Sequence, residues 1–146
     1  MLRTTPQRRF SRGFTLLEVT IALSIGLALL GVAVLALTSV QDENQLRQVA
    51  TDIEVAAQEA LLDAVAQRRP VQLALDGGLA GGGEVLVLRY GEHKFRAARP
   101  GETWEFSPSG ICEPLTLRVL HPLGEVELSF DPLTGMARDR SVIVKG

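Results

Sequence analysis

The sequence has few of the residues that stabilise small proteins covalently or carry out chemistry. It contains one cysteine, two histidines and 5% aromatic residues among 146 residues. The lone Cys112 excludes a disulfide within the chain, a cysteine-based zinc site and a CxxC redox pair, and is read as a small buried hydrophobe. His93 and His121 are isolated residues of the surface or of an edge strand, and no G-x-S-x-G or HExxH motif occurs. We therefore predict no enzyme activity, no metal and no cofactor, and a fold that depends on packing.

Positive charge is also scarce outside the N-terminus. The formal net charge is −2, yet the first 13 residues hold four arginines and no acid, so the rest of the chain is clearly acidic. This balance disfavours a nucleic-acid partner, because most of the surface would repel phosphate. A small basic cluster near the C-terminus, Arg138, Arg140 and Lys145, is the one candidate for DNA contact; otherwise it is a solvated edge that discourages strand pairing.

A long apolar run decides the class of protein. Residues 14–37 carry only one charge, Glu18. As a helix they would extend about 36 Å, enough to cross a hydrocarbon core of about 30 Å. Arginines before the run and acids after it predict a cytoplasmic N-terminus and a C-terminal domain outside the cytoplasm. A secretory signal peptide is disfavoured, because the run is too long and TSVQDENQ follows it instead of a small-residue cleavage site.

The junction before this run resembles a known processing signal. A basic leader ends in Arg12-Gly13, and the sequence continues FTLLEVTIALSIGLALLG. This combination of glycine, phenylalanine, in-span glutamate and hydrophobic helix resembles the prepilin-like proteins, namely type IV pilins and the pseudopilins of type II secretion.

The resemblance implies a processing reaction at the N-terminus. A prepilin peptidase of the membrane would cut after Gly13 and methylate the new N-terminal residue, Phe14. Residues 1–13 would then be the leader. Many major pilins also have a proline later in the span, near the position of Leu35, and its absence here favours a minor component or pseudopilin.

Glu18 is unusual on chemical grounds alone. An ionised carboxylate in hydrocarbon costs at least a few kcal/mol, so an acid in a membrane helix is a functional hypothesis by default. It lies four positions after Phe14, whose α-amino group would be created by cleavage. We expect Glu18 to pair with such an amine on a neighbouring helix during assembly; alternatively, it lies near the headgroups and stays hydrated. Ala22 and Gly26 form a small-xxx-small pair that carries little weight by itself.

The helical pattern continues beyond the span. Apolar residues recur at spacings of three and four up to Arg68-Arg69-Pro70, which is a stop signal. Without an internal break, residues 14–67 would make one helix of roughly 80 Å. The predicted apolar stripe comprises Leu46, Val49, Ala50, Ile53, Ala57, Ala60, Leu61, Ala64 and Val65.

After Pro70 the apolar period changes to two, which predicts a small antiparallel β domain. So small a domain would need to bury itself against the helix. The glycine-rich segment 76–83 lacks the features of a phosphate-binding loop and is predicted to be a flexible linker. Asp131 is interpreted first as a turn residue, and only second as a calcium ligand. The predicted strands are 71–75, 84–90, 94–97, 103–106, 115–120, 125–130 and 141–144.

The predicted fold class is α+β and pilin-like. Its organisation is a basic prepilin leader (1–13), a transmembrane helix (14–37), an amphipathic helix extension (38–69) and a β-rich globular head (70–146). The segments 103–110 and 125–139 also resemble, more loosely, the head of protein H type minor pseudopilins and their minor-pilin relatives.

These resemblances imply a minor pseudopilin of a type II secretion pseudopilus. It would be anchored in the bacterial inner membrane with a periplasmic head, and its partners would be the prepilin peptidase and other pilins or pseudopilins. The alternatives are a minor type IV pilin that binds DNA for uptake and a bitopic anchor with a ligand-binding β domain.

Overall fold

The computed structural model describes residues 14–145, without the side chains of residues 36–39, and divides into two units after Leu37. The predicted leader, including Gly13, lies outside the described residues. The elements are one helix, α1 (Leu16–Gln67), and seven strands: β1 (Val71–Ala74), β2 (Glu84–Arg89), β3 (Arg96–Ala97), β4 (Thr103–Phe106), β5 (Leu115–His121), β6 (Gly124–Phe130) and β7 (Ala137–Val144). The predicted α+β fold class, a long N-terminal helix followed by small antiparallel sheets, is confirmed.

The first unit consists of the apolar beginning of α1. Every side chain described in residues 14–35 is exposed, and the most apolar window has a mean hydropathy of 2.5. The helix is therefore long and apolar enough to cross a membrane. Two polar side chains in it are satisfied locally, because the hydroxyls of Thr20 and Ser24 donate to the carbonyls of Leu17 and Thr20 at 2.8 Å. Such bonds lower the cost of a hydroxyl in hydrocarbon.

In the second unit, the remainder of α1 forms one wall of the hydrophobic core. Its buried residues alternate at spacings of four and three: Leu46, Ala50, Ile53, Ala57, Ala60 and Ala64. We call this set the inner seam. Four of the six are alanines, which bring the helix backbone close to the sheets it covers. Val65, predicted to belong to the buried stripe, is instead 46% exposed, since it lies beside the seam and not on it.

The helix ends in a well-defined C-cap. Arg68 has a positive φ of 53°, and the backbone N–H groups of Arg68 and Arg69 donate to the carbonyls of Val65 and Ala64. This pattern is the Schellman motif, formed here around a residue other than glycine. Pro70 follows and cannot continue the helix.

All strand pairs are antiparallel and form two sheets. The larger has the order β3-β2-β5-β6-β7, and the smaller pairs β1 with β4. Core residues of both sheets pack on the inner seam, led by Trp104 and Phe106 of β4, whose rings lie 4.6 Å apart. The helix therefore completes the core of the β head, as its small size requires.

Two strands differ from their predicted bounds by more than one residue. β7 begins at Ala137 and not at Ser141, because pairing with β6 extends through Arg138–Arg140, with a register shift at Ser129/Phe130. The first half of β7 is polar, so a search for alternating apolar residues does not detect it. β3 is reduced to Arg96–Ala97, the only residues of the predicted strand 94–97 that pair with β2.

The glycine-rich segment 76–83 links β1 to β2, as predicted, and it does so as a hydrogen-bonded turn. The Asp76 carboxylate accepts hydrogen bonds from the backbone of Gly78 and Leu79, and Ala80 is fully buried. At Gly83, an added Cβ would lie 2.8 Å from Val119 Cγ1 and 2.9 Å from the carbonyl oxygen of Leu120. Glycine at this position therefore permits the turn to pack against β5.

We expect Gly83→Ala to destabilise the protein by about 1–3 kcal/mol, the usual cost of overpacking a close contact. Gly77→Ala in the same turn is the matched control, because the nearest atom to its added Cβ is 3.7 Å away. Thermal unfolding of the full chain in detergent measures both. Equal unfolding temperatures for the two variants would contradict this account of Gly83.

Candidate processing and assembly site

The beginning of α1 is organised by Thr15. Its hydroxyl oxygen accepts a hydrogen bond from the backbone N–H of Glu18 at 3.2 Å, and its carbonyl accepts from Glu18 and Val19. Thr15 is thus the N-cap, which satisfies helix donors that would otherwise lack partners. The sequence analysis missed this role, although Thr-x-x-Glu at a helix start is the signature of a capping box.

Glu18 lies in the first turn of α1, near the positive end of the helix dipole. Its carboxylate has no hydrogen bond or ion pair to any side chain within residues 14–145. It differs in this respect from Thr20 and Ser24, whose hydroxyls are satisfied by their own helix. A carboxylate beside apolar surface and without an internal partner is available to a cationic group from another molecule.

The surface around Glu18 suits contact with a second helix. A shallow, mostly apolar groove on α1 is lined by Thr15, Leu17, Glu18, Ile21, Ala22 and Ile25. Phe14, the expected mature N-terminus, is 81% exposed. Gly26, the second residue of the small pair with Ala22, has open space where a side chain would stand. Phe14 and Glu18 are therefore both accessible at the same end of the helix.

The cations proposed for DNA contact do not form a free basic patch. Arg138 and Arg140 belong to β7 and not to a tail, and each faces an acid: Arg138 pairs with Asp131 at 3.2 Å, and Arg140 with Glu54 at 3.5 Å. Arg140 also donates to the carbonyl of Arg47 in α1 at 2.8 Å. Lys145 follows the strand and is exposed. Two of the three charges are thus largely compensated within the head.

The head contains a cluster of ion pairs that the sequence did not indicate. The Glu102 carboxylate accepts two hydrogen bonds from Arg96 and one from Arg89, and also the backbone N–H of Arg99. Arg89 also pairs with Glu113 and donates to the carbonyl of Thr103. The cluster joins β2 and β3 of the large sheet to the segment that enters β4 of the small one. No sequence pattern could reveal it, because its members are brought together by strand pairing.

The charges of this cluster stabilise the contact between its elements. The bonds from Arg96 hold the pKa of the Glu102 carboxyl well below its usual range, against the opposing effect of burial, and they raise the pKa of Arg96. Both groups therefore stay charged at any physiological pH, and neither is poised to exchange a proton.

The remaining chemistry-bearing residues have structural surroundings. Cys112 is buried, as predicted, and burial raises the pKa of its thiol, which disfavours the reactive thiolate. His121 lies at the end of the central strand β5, not on an edge strand, and its Nδ1 accepts a bond from Leu123; His93 is exposed. The Asp131 carboxylate accepts a hydrogen bond from the backbone N–H of Leu133 and so stabilises a turn. Within the described part of the chain, no three His, Cys, Asp or Glu residues are grouped to hold a metal ion.

Comparison with protein families identifies the N-terminal segment. Residues 8–38 match the family described as the prokaryotic N-terminal methylation motif. Comparison with curated proteins and with solved structures gives no significant match. The motif supports a protein like a type IV pilin or pseudopilin, and it implies processing by a prepilin peptidase and assembly with other pilins. With the apolar helix, it fits a membrane-anchored protein.

The ion-pair cluster predicts a pH dependence of stability. Because the pKa of Glu102 is lower in the folded chain than in the unfolded one, its contribution to stability is complete above the unfolded value of about 4.3 and is lost as the pH falls below it. We expect Glu102→Gln to lower the unfolding temperature at pH 7, with the difference from wild type narrowing towards pH 3.

Thermal unfolding of the full chain between pH 3 and pH 7 measures this effect. Glu105→Gln is the control, because Glu105 is exposed on β4 and its carboxylate has no ion pair among the described residues. A difference between wild type and Glu102→Gln that is constant across this range would show that Glu102 acts through packing and not through its charge.

Proposed function

We propose that this chain is a minor pseudopilin, a structural subunit of a type II secretion pseudopilus, of the protein H type. The observation that carries the proposal is the methylation motif on an exposed apolar helix whose Glu18 carboxylate has no partner within residues 14–145. The prepilin peptidase would cut between Gly13 and Phe14 and methylate the amine of Phe14. The mature chain would remain in the bacterial inner membrane, with the head in the periplasm.

Glu18 would act at the moment of assembly. A carboxylate and an ammonium group are each costly in hydrocarbon, and pairing compensates both charges. The amine of Phe14 on a neighbouring subunit is the natural cation, because cleavage creates it next to the same apolar surface. Thr15 supports this arrangement by fixing the first turn of α1, from which Glu18 projects.

The subunit would work by assembly and not by catalysis. In the described part of the chain the thiol is buried, Glu102 is held by arginines, and no group of metal ligands is present. Extraction of the subunit from the membrane into a short filament, which helps secreted proteins through an outer-membrane channel, would need only helix packing and the Glu18 pair.

We expect Glu18→Val to leave insertion and cleavage intact but to abolish entry into filaments, because the neighbour's amine then stays unpaired. Ser24→Val is the matched control: it also removes one polar group from the span, but a group that is satisfied by its own helix. Intact-mass spectrometry should show a mature chain that begins at Phe14 for wild type and both variants. Normal filament entry by the Glu18→Val protein would contradict the pairing role, and a mature N-terminus beyond Leu37 would contradict the anchor.

DNA titration discriminates secretion from DNA uptake. Because Arg138 and Arg140 each face an acid, we expect the full chain in detergent to bind duplex DNA no more tightly than about 10⁻⁴ M at physiological salt, the range of non-specific contacts. Fluorescence anisotropy of labelled DNA measures this affinity. Micromolar binding that weakens with salt and disappears in the Arg138→Ala/Arg140→Ala variant would favour a DNA-uptake pilin instead.

A further inference from the structure

The large sheet ends in a long open edge. β7 is the last strand in its order, and its eight residues pair with β6 on one side only. Such an edge presents unpaired backbone N–H and C=O groups, with which another chain can pair. Natural proteins usually block a long edge with proline, a bulge, charges or a covering segment. We call residues 139–145, the end of this strand, the open edge.

The backbone groups that point outward from the open edge follow from its pairing with β6. The N–H of Lys145 donates to the carbonyl of Leu123, which precedes β6, at 2.8 Å. Because bonding alternates along an antiparallel pair, odd-numbered residues bond towards β6, while Arg140, Val142 and Val144 turn their N–H and C=O groups away from it. In the described part of the chain, no hydrogen bond reaches these outward groups.

Within the described residues, none of the usual devices blocks the open edge. It contains no proline, and the register shift in the pairing of β6 with β7 lies before it. Arg140 does not guard it, because its side chain pairs with Glu54 and donates to the carbonyl of Arg47, both in α1. Residues 141–144 carry no charge, and three of the four are β-branched. This composition favours pairing with a further strand.

The side chains on one face of the open edge define the charges of a matching strand. Alternation places Asp139, Ser141, Ile143 and Lys145 on that face, and all four are exposed. Asp139 and Lys145 have no ion pair with any residue from 14 to 145. An added strand would meet these four residues in non-hydrogen-bonded pairs, whose Cα atoms are about 4.5 Å apart and whose side chains lie closest. The open edge thus offers an acid at one end, a cation at the other and an uncharged centre.

We propose that the open edge accepts an extended segment of another protein as an added antiparallel strand. The segment carries a cation opposite Asp139, an acid opposite Lys145 and β-branched residues between them. Antiparallel pairing continues the pattern of the sheet and is slightly more stable per residue than parallel pairing. Backbone hydrogen bonds supply the affinity of such a complex, and the two terminal charges set its direction and register.

A second copy of this chain is the weaker candidate for the added strand. Antiparallel pairing of β7 with β7 of another copy places a two-fold axis perpendicular to the sheet, and this axis reverses the direction of the α1 segment that covers the sheet. The anchors of two chains would then leave their heads in opposite directions. This step rests on the proposed function, since it takes both chains to be anchored in the same membrane.

Two seven-residue peptides with capped ends serve as probes. The matched peptide, Glu-Thr-Ile-Thr-Val-Thr-Lys, places its acid opposite Lys145 and its lysine opposite Asp139 in an antiparallel pair, and the reversed peptide exchanges its two terminal residues. We expect the full chain in lipid nanodiscs to bind the matched peptide at least about fivefold more tightly, because two ion pairs replace two like-charge pairs. This preference should shrink at high salt. Fluorescence anisotropy of the labelled peptides measures both affinities.

A proline at the open edge tests the backbone pairing. Val142→Pro should abolish binding of both peptides and keep the strand, because the N–H that it removes points outward and takes no part in pairing with β6. Val142→Ala is the matched control, since it shortens the same side chain but keeps the N–H, and it should bind the matched peptide. Thermal unfolding of each variant confirms that the head is folded.

Amide hydrogen exchange tests the same pairing in the wild-type chain. The matched peptide should slow exchange of the outward N–H of Val142, because this group gains a hydrogen bond. Exchange at Ser141, whose N–H already bonds towards β6, should change much less. Nuclear magnetic resonance of the full chain resolves the two amides.

Exchanged charges test the direction of the added strand. Asp139→Lys/Lys145→Glu should reverse the preference, so that the reversed peptide binds more tightly. Glu84→Lys/Lys94→Glu is the control, because it exchanges two exposed charges elsewhere in the head and should leave the preference unchanged.

Four results would overturn the proposal. They are equal affinity for the two peptides, preference of the wild-type chain for the reversed peptide, binding that persists in Val142→Pro, and self-association of the chain that Val142→Pro abolishes, which would make a second copy the occupant. Failure of the proposed function would register elsewhere, as normal filament entry by the Glu18→Val protein, since peptide binding requires neither cleavage nor secretion.

Discussion

The packing of the inner seam on the two sheets is the contact on which the rest of the head depends. The β head is too small to bury a sufficient core alone, and α1 supplies six fully or almost fully buried residues from Leu46 to Ala64. Alanines at four of these positions allow the helix to lie close to the strands, and the tight turn at Gly83 packs against β5 at the edge of the same core. Arg140 of β7 also donates a hydrogen bond to the backbone carbonyl of Arg47 in α1.

One helix thus serves two different environments. Up to residue 35 its described side chains are exposed and almost entirely apolar, while from Leu46 onward one side is buried under strands. Polar groups follow the same division. The hydroxyls of Thr20 and Ser24 in the apolar part are satisfied by the helix itself, whereas Glu102 in the head is held by Arg96 and Arg89.

Several acids of α1 have no cationic partner among the described residues. Glu18 in the apolar segment and Asp52, Glu59 and Asp63 further along α1 have no ion pair within the described residues, whereas Glu125 and Glu127 of β6 both pair with Arg118. All four acids lie on α1, beside uncharged side chains that are exposed in the described part of the chain. In the proposed assembly, another subunit would supply the cation that the described residues do not offer to Glu18.

The sequence by itself determined the apolar helix, the methylation motif and the fold class. Local patterns in the sequence indicate these features. The patterns are an apolar run with one acid, Gly13 before Phe14, and a change in the spacing of apolar residues after Pro70, from helical to alternating. Thr15 as the N-cap was also readable, from the Thr-x-x-Glu spacing. Local patterns suffice here because each feature depends on neighbours within a few residues.

Only the tertiary structure decided the features that depend on distant pairing. β7 extends through Arg138–Arg140 because β6 supplies its hydrogen bonds, and the same pairing brings Arg140 to Glu54 and so compensates the cluster that the sequence offered for DNA contact. The Glu102 cluster and the compact turn at Gly83 likewise join residues far apart in sequence. The tertiary structure also decided which side of α1 is buried, because the sheets cover the inner seam and leave Val55 and Leu62 exposed on the opposite side.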